Sequence, residues 1–332
     1  MKTAMSRLNG TSVLITGGTG SFGRAFVAHM LAHADPARLI VFSRDELKQS
    51  EMQAEIGKDP RMRYFIGDVR DADRLEMAFH GVDYVIHAAA LKQVPAAEYN
   101  PFECVRTNIH GAENVVRAAL RTGVKRVVAL STDKAVNPVN LYGASKLASD
   151  KIFVAANHLS AGRTAFSIVR YGNVVGSRGS VIPLFKRLLA GGARELPVTD
   201  ARMTRFLITL EEGVRFVIQS LEQMHGGEIF VPKIPSASLD EIVRAMPGSV
   251  GARNVGIRPG EKLHEVMVTE DDARHTLEFD DRYVILPEGD FPARAEYEKA
   301  GARPVVDRFR YASDGNPQRL DREALARLIA AV

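Results

Sequence analysis

Ser12-Val13-Leu14-Ile15-Thr16-Gly17-Gly18-Thr19-Gly20-Ser21-Phe22-Gly23 joins a short β-branched run to glycines at 17, 20 and 23, three apart. Ser12–Thr16 reads as a buried strand, and the residues from about Arg24 onward as the helix that follows. Glycine in such a turn tolerates positive φ, lets the backbone approach a pyrophosphate and lets helix pack on strand. The helix N-terminus then points N–H donors at the phosphates. Gly17, Thr19, Gly20, Ser21, Phe22 and Gly23 are therefore candidate contacts to a dinucleotide.

The next apolar run ends Val41-Phe42-Ser43-Arg44. An NAD-binding chain usually places an acid there for the ribose hydroxyls. A hydroxyl and a guanidinium favour NADP, with Asp45 and Lys48 close by in sequence. Arg44 has a second reading, a solvated loop charge paired with Asp45 or Glu46. Asp68 and Val69 follow the third run, where a carboxylate and a backbone group suit adenine. Ala88, Ala89 and Ala90 follow the fourth, where small side chains admit the cofactor. Lys92 stands just beyond, at the mouth of the sheet, in reach of cofactor and substrate.

Further out, short β-branched runs at Ser12–Thr16, Leu39–Ser43, Met62–Ile66, Tyr84–His87, Arg126–Ser131 and Phe166–Arg170 alternate with longer amphipathic stretches. This is the pattern of an α/β fold, a Rossmann-type doubly wound parallel sheet with helices on both faces. After Gly172 proline, glycine and charge become denser, as expected of a smaller α/β substrate-binding lobe. The expected division is 1–175 for the NADP-binding domain and 176–209 with 233–332 for the second lobe. Within 210–232, Val214, Val217, Ile218 and Leu221 recur at helical spacing and are expected to pack back on the first domain. Helices are also expected over Glu98–Leu120 and Tyr142–His158.

Bulk composition excludes several functions. Hydrophobic residues make up 45% and charged residues 25%, with net charge +4 spread without blocks of one sign, so no stripe suggests nucleic acid. No stretch approaches the roughly 20 apolar residues of a membrane span, and no signal-peptide core is present. Cys104 is the lone cysteine. A cytoplasmic protein is expected. His87, His225 and His264 form no metal-ligand spacing, and no catalytic metal is expected.

The chemistry concentrates after the fifth run, in Ser131-Thr132-Asp133-Lys134, followed by Tyr142-Gly143-Ala144-Ser145-Lys146. Tyr142 and Lys146, four apart, share a helical face. A nearby ammonium and a nicotinamide cation both favour phenolate, so Tyr142 can take a hydroxyl proton as hydride leaves the same carbon. Thr132 can hydrogen-bond that hydroxyl. Asp133 and Lys134 offer further proton transfers that a simple dehydrogenase does not need. A basic Lys134 requires a depressed pKa, expected here from burial near Lys146 and the oxidised cofactor. The alternative is an ion pair with Asp133.

Glycine turn, acid after the third strand, hydroxyl after the fifth and Tyr-x-x-x-Lys together resemble the extended short-chain dehydrogenase/reductase superfamily, over residues 16 to 146. Arg44–Glu51, Ala90-Leu91-Lys92, Ser131–Lys134, Arg170–Ser180, Met203–Phe206, His225–Lys233 and Ile257–Glu265 narrow the resemblance to the inverting UDP-N-acetylglucosamine 4,6-dehydratases, over nearly the whole chain. It is strongest to the soluble members that begin pseudaminic acid synthesis, since the larger relatives carry transmembrane helices.

That resemblance implies NADP, a homo-oligomer and the product UDP-2-acetamido-2,6-dideoxy-β-L-arabino-hexos-4-ulose. It also implies catalysis by Thr132, Asp133, Lys134, Tyr142 and Lys146, and a further cofactor contact from Val174. Substrate contacts are implied for Lys92, Thr132, Asn173, Arg178, Gly179, Ser180, Val181, Arg205, Arg258 and Glu261, with Lys262 a further candidate cation. In retaining dehydratases the pair after the threonine is commonly Asp-Glu, whereas here it is Asp-Lys. The competing readings are a UDP-sugar 4-epimerase, a retaining dehydratase and a non-enzymatic NADP-sensing module.

Overall fold

The computed structural model describes residues 7–177, 179–249, 251–289 and 291–331. Each of the six β-branched runs is a strand: β1 (Ser12–Thr16), β2 (Arg38–Ser43), β3 (Met62–Ile66), β4 (Tyr84–His87), β5 (Arg126–Thr132) and β6 (Ala165–Tyr171). The chain continues through β7 (Asn173–Val174), β8 (Glu195–Val198), β9 (Thr204–Ile208), β10 (Ile229–Pro232), β11 (Ser236–Ser238), β12 (Gly251–Asn254), β13 (Val266–Val268), β14 (Thr276–Glu278), β15 (Arg282–Ile285), β16 (Arg303–Pro304) and β17 (Tyr311–Ala312).

The large sheet has the order β3-β2-β1-β4-β5-β6-β10, all parallel, and is extended by β15, β14 and β16, all antiparallel. The Rossmann-type sheet read from the sequence is present. The strands β14, β15 and β16, expected within the second lobe, lengthen this sheet instead. The reason lies in β15, whose Tyr283, Val284 and Ile285 are buried against the main core.

The helices are α1 (Ser21–His33), α2 (Glu46–Ile56), α3 (Ala72–Phe79), α4 (Val94–Tyr99), α5 (Pro101–Val105), α6 (Gly111–Thr122), α7 (Leu141–Ser160), α8 (Val181–Ala190), α9 (Leu210–Gln223), α10 (Leu239–Ala245), α11 (Arg294–Lys299) and α12 (Arg322–Ala330). Strand side chains alternate between two cores. Val13 and Ile15 meet Phe26 and Met30 of α1 and Val214 and Val217 of α9 on one face. Leu14 meets Phe79 of α3, Val115 of α6 and Phe153 of α7 on the other. A third core joins Phe185 of α8, Leu196, Leu207, Ile242 of α10 and Leu325 of α12 over the open end of the sheet.

The continuous helix expected over Glu98–Leu120 is broken. Asn100, preceding Pro101, has φ −121° and ψ 66°, as the proline ring disfavours the helical region for its predecessor. A π-helical turn, Arg106–His110, then separates α5 from α6. Among the described residues no helix is long and apolar enough to cross a membrane.

Candidate active site

A cleft of about 760 Å³ opens where the carboxyl ends of the parallel strands meet the third core. Its cofactor side is shaped by backbone. Gly17 has φ +68°, and a Cβ there would lie 2.9 Å from Ala89 Cα. A Cβ on Gly23 would lie 2.4 Å from the Gly18 carbonyl oxygen. Gly20, the N-cap of α1, supplies no side-chain acceptor to the first turn. Thr19, Ser21, Phe22, Ala88 and Ala90 line the same wall.

At the end of β2 the buried Ser43 hydroxyl accepts from Gln49 Nε2 at 3.0 Å. Arg44 pairs neither with Asp45 nor with Glu46; its Nη1 lies 3.5 Å from Asp68 Oδ2, and Arg70 Nη2 lies 2.7 Å from the same oxygen. Burial would raise the Asp68 pKa, but the hydrogen bonds from Arg70 and the charge of Arg44 hold it below the usual carboxylate value. Asp45 caps α2 through the Lys48 backbone N–H and pairs with the Lys48 ammonium. Val69 packs beside Gly111, where a Cβ would come within 2.9 Å of its Cγ2.

Thr107, on the π-helical turn, was not singled out by the sequence. Its hydroxyl is buried without a hydrogen-bond partner in a residue that lines the cleft. An orphaned donor and a wall that a single Cβ would block both fit a dinucleotide lying along the turn.

The wall around Thr132, Lys134 and Tyr142 is shaped by charge. Thr132 ends β5 and its Oγ1 donates to Asp133 Oδ1 at 2.8 Å. Asp133 is 0% exposed, behind the cleft wall, while Thr132 and Lys134 line it. Lys134 Nζ donates to the same Asp133 oxygen at 3.0 Å and to Asn173 Oδ1 at 3.1 Å. Gly143 fixes the approach of α7: a Cβ there would meet the Lys134 carbonyl oxygen at 2.2 Å. Asn140 caps α7 by accepting from Gly143 N at 2.7 Å, which sets Tyr142 and Lys146 one turn apart in the cleft.

Electrostatics correct two expectations. Burial alone would lower the Lys134 pKa, but the carboxylates of Asp133 and Glu265 outweigh it, so the pKa lies above the ordinary lysine value. Lys134 is therefore an ammonium, and the expected depression is absent. Lys146, unlike Lys134, has its pKa lowered, by burial that Asp150 only partly offsets. Tyr142 is pushed up to about 12 by burial, although the Lys134 charge and a Thr132 hydrogen bond pull the other way. The nearby ammonium favours phenolate, but burial outweighs it.

On the facing lobe Gly179, Ser180, Val181, Arg205, Arg258 and Glu261 line the cleft, as do Lys92, Asn173 and Val174. Arg178 lies outside the described residues. Arg205 is already engaged, its Nη1 on the Thr204 and Leu263 carbonyls and its Nη2 on that of Lys262. Arg258 is exposed toward the cleft. Lys262, a candidate phosphate ligand, instead turns inward and donates to the Val136 carbonyl. Glu265, read only as part of a motif, is 2% exposed and faces Lys134. Its place after Lys262 and His264 in that motif is its only signal in the sequence. No group of three or more His, Cys, Asp or Glu among the described residues is arranged to hold a metal ion.

A sequence profile described as "Polysaccharide biosynthesis protein" matches residues 13–287. The chain is 56% identical over 318 residues to the UDP-N-acetylglucosamine 4,6-dehydratase (inverting) of Campylobacter jejuni subsp. jejuni serotype O:23/36 (strain 81-176), covering 93% of this chain and 94% of that one. It belongs to this dehydratase family. The family's wider reach shows in the UDP-glucose 4-epimerase of Rickettsia canadensis (strain McKiel), 41% identical over 96% of this chain and 95% of the relative. Among solved structures, Pen from Bacillus thuringiensis superposes with a TM-score of 0.88 at 36% identity, covering 98% of each chain. DesIV, a dTDP-glucose 4,6-dehydratase from Streptomyces venezuelae solved with NAD and TYD, shares the fold at a TM-score of 0.71 and 23% identity, over 96% of each chain.

Proposed function

We propose that the protein is an inverting UDP-N-acetylglucosamine 4,6-dehydratase, acting with NADP in the cytoplasm as a homo-oligomer at the first step of pseudaminic acid biosynthesis. The observation that carries the reading is that Lys134 lines the same cleft as Thr132, Tyr142 and Lys146. C4 redox chemistry alone needs no such second lysine. The relative at 56% identity supports the substrate. The nicotinamide cofactor is supported by the glycine wall and by the NAD of the DesIV structure. NADP is favoured by Arg44 and Lys48 at a β2 end that lacks an acid.

A nicotinamide dinucleotide held along Gly17, Gly20 and Gly23 would supply the hydride acceptor for C4 and the hydride donor for C6. Tyr142 removes the C4 hydroxyl proton, Thr132 holds that hydroxyl, and Lys146 supports the phenolate. The ketone acidifies C5–H. A proton shift from Lys134 Nζ to Asp133 then leaves an amine that takes the C5 proton and a buried carboxylic acid whose proton passes through the Thr132 hydroxyl to the departing C6 hydroxyl. Water leaves, Asp133 is again a carboxylate and Lys134 again an ammonium. Solvent water protonates C5 from the opposite face, which inverts that centre, and Tyr142 returns the C4 hydroxyl proton to solvent. Arg258 reaches for the diphosphate, Glu261 for ribose and Asn173 for the sugar. Arg205, bound to three carbonyls, orders the segment 262–263 beneath them. Residues 1–175 with 210–232 carry the cofactor, and the third core presents the substrate face.

Incubation with UDP-N-acetylglucosamine, followed by NMR and mass spectrometry, tests this: the expected product has lost one water and shows a C6 methyl signal with inverted C5. Unchanged mass with a new C4 configuration would instead establish 4-epimerisation, the activity named for the Rickettsia relative. Undiminished C5 deuterium incorporation in Lys134→Ala would remove Lys134 from the mechanism.

A further inference from the structure

Glu265 leads into β13 and is buried, with its backbone fixed on Ser313: its N–H donates to Ser313 Oγ at 2.9 Å and its carbonyl accepts from Ser313 N at 2.8 Å. Its carboxylate is held differently. Three cations surround it at ion-pair distance: Lys134 Nζ is 3.6 Å and Arg205 Nε 3.9 Å from Oε1, and Lys262 Nζ is 3.7 Å from Oε2. Oε2 has no hydrogen-bond partner. A buried carboxylate coupled to its surroundings mainly through charge acts on the protonation of its neighbours more than on their shape.

The segment bearing Glu265 is also tied to the catalytic loop. Lys262 Nζ donates to the Val136 carbonyl at 2.5 Å, and Asn140 Nδ2 donates to the Gly260 carbonyl at 2.8 Å. Val266 packs with Val136 and Ala312. These ties leave Glu265 little freedom to move away from Lys134.

We infer that Glu265 is a positioning residue for proton transfer at C5: it holds the Lys134 ammonium between Asp133 and Asn173 and keeps the proton on nitrogen until substrate enters. This rests on the reading of Lys134 as the group that works at C5. The ionisable groups facing Lys134 are Asp133 on its own loop, Tyr142 on α7, Arg205 on β9, and Lys262 and Glu265 before β13. Of these, Asp133 and Glu265 favour its charge, Arg205 and Lys262 oppose it, and neutral Tyr142 does neither. Among the described residues, Glu265 is thus the one carboxylate facing Lys134 from outside its own loop.

The test is the pH dependence of kcat for UDP-N-acetylglucosamine dehydration in Glu265→Gln and Glu265→Asp. Losing an opposite charge at this distance lowers a lysine pKa by about one unit or more. In Glu265→Gln the limb governed by Lys134 therefore moves that far toward acid, with C5 deuterium incorporation following it and KM within about twofold of the parent. Glu265→Asp, which keeps the charge but withdraws it by one methylene, shifts in the same direction by less, and carries the test if the Gln variant does not fold. In a Lys134→Met background Glu265→Gln leaves the residual profile unmoved. A lower kcat with an unmoved profile, or a shift that persists in Lys134→Met, overturns the role of Glu265. Wild-type protein that fails to dehydrate this substrate overturns the functional reading itself.

Discussion

The two walls of the cleft are built on opposite terms. Around Gly17, Gly20 and Gly23 the constraint is space: backbone meets backbone so closely that a single Cβ is too much. Around Asp133, Lys134, Tyr142 and Lys146 the constraint is charge, with ionisable groups withdrawn from water and balanced against one another. A surface that must grip an invariant dinucleotide can be rigid and nearly featureless. One that must pass protons between several atoms has to keep its groups near a point where they exchange.

Substitutions on the two walls should therefore fail in different ways. Tyr142→Phe removes one hydroxyl from the charged wall and should lower kcat by about 10³-fold, with cofactor affinity and thermal midpoint close to the parent. A loss below tenfold in a kinetic assay would mean that the proton leaves by another route. Gly23→Ala attacks the spatial wall: its methyl would meet the Gly18 carbonyl oxygen at 2.4 Å. About 3 kcal/mol of stability should go, together with dinucleotide binding, as read by denaturant unfolding and calorimetry. Unchanged affinity would show that the turn can open.

His87 sits behind the spatial wall with Nδ1 2.9 Å from Thr16 Oγ1, and burial pushes its pKa down to about 3. A depressed value means that the unfolded chain binds the proton first, so stability is full above pH 6.5 and falls as pH drops toward 3. Between pH 7 and pH 5 His87 alone should remove about 2 kcal/mol. His87→Gln should flatten that part of the pH–stability curve; an identical slope would assign acid sensitivity elsewhere. The smallest effect is expected at Arg44, half-exposed at the end of the turn. Arg44→Ala should weaken NADP about tenfold and leave NAD nearly untouched, and equal weakening of both would show that the guanidinium does not read the 2′-phosphate.

The spatial wall was legible in the sequence because its cause is local. Glycines three apart between a β-branched run and a helix can be read within a dozen residues, and β1, β3 and β4 match their apolar runs end to end. The antiparallel extension was not legible: β14 and β16 have three and two residues, too few for any period to show. Nor was the charge state of Lys134. It depends on Glu265, brought across the cleft from 131 positions away, and glutamate in a charged segment reads by default as surface. Identities of ionisable residues are local, but their pKa values are sums over the fold.

The π-helical turn at Arg106–His110 shows how finely that fold is indexed. Asn108, inside it, accepts from the Leu91 N–H at 2.8 Å and donates to the Leu91 carbonyl at 2.9 Å and to Ser145 Oγ at 2.9 Å, standing in for a strand neighbour that Leu91 lacks. Each residue added to or removed from a helix turns everything beyond it by about 100°. Deleting one residue here would restore regular winding and swing either Asn108 away from Leu91 or α6 off the sheet. The wide turn acts as an offset that lets one helix satisfy two phases at once, and the length of this loop is not free to drift even where its side chains are.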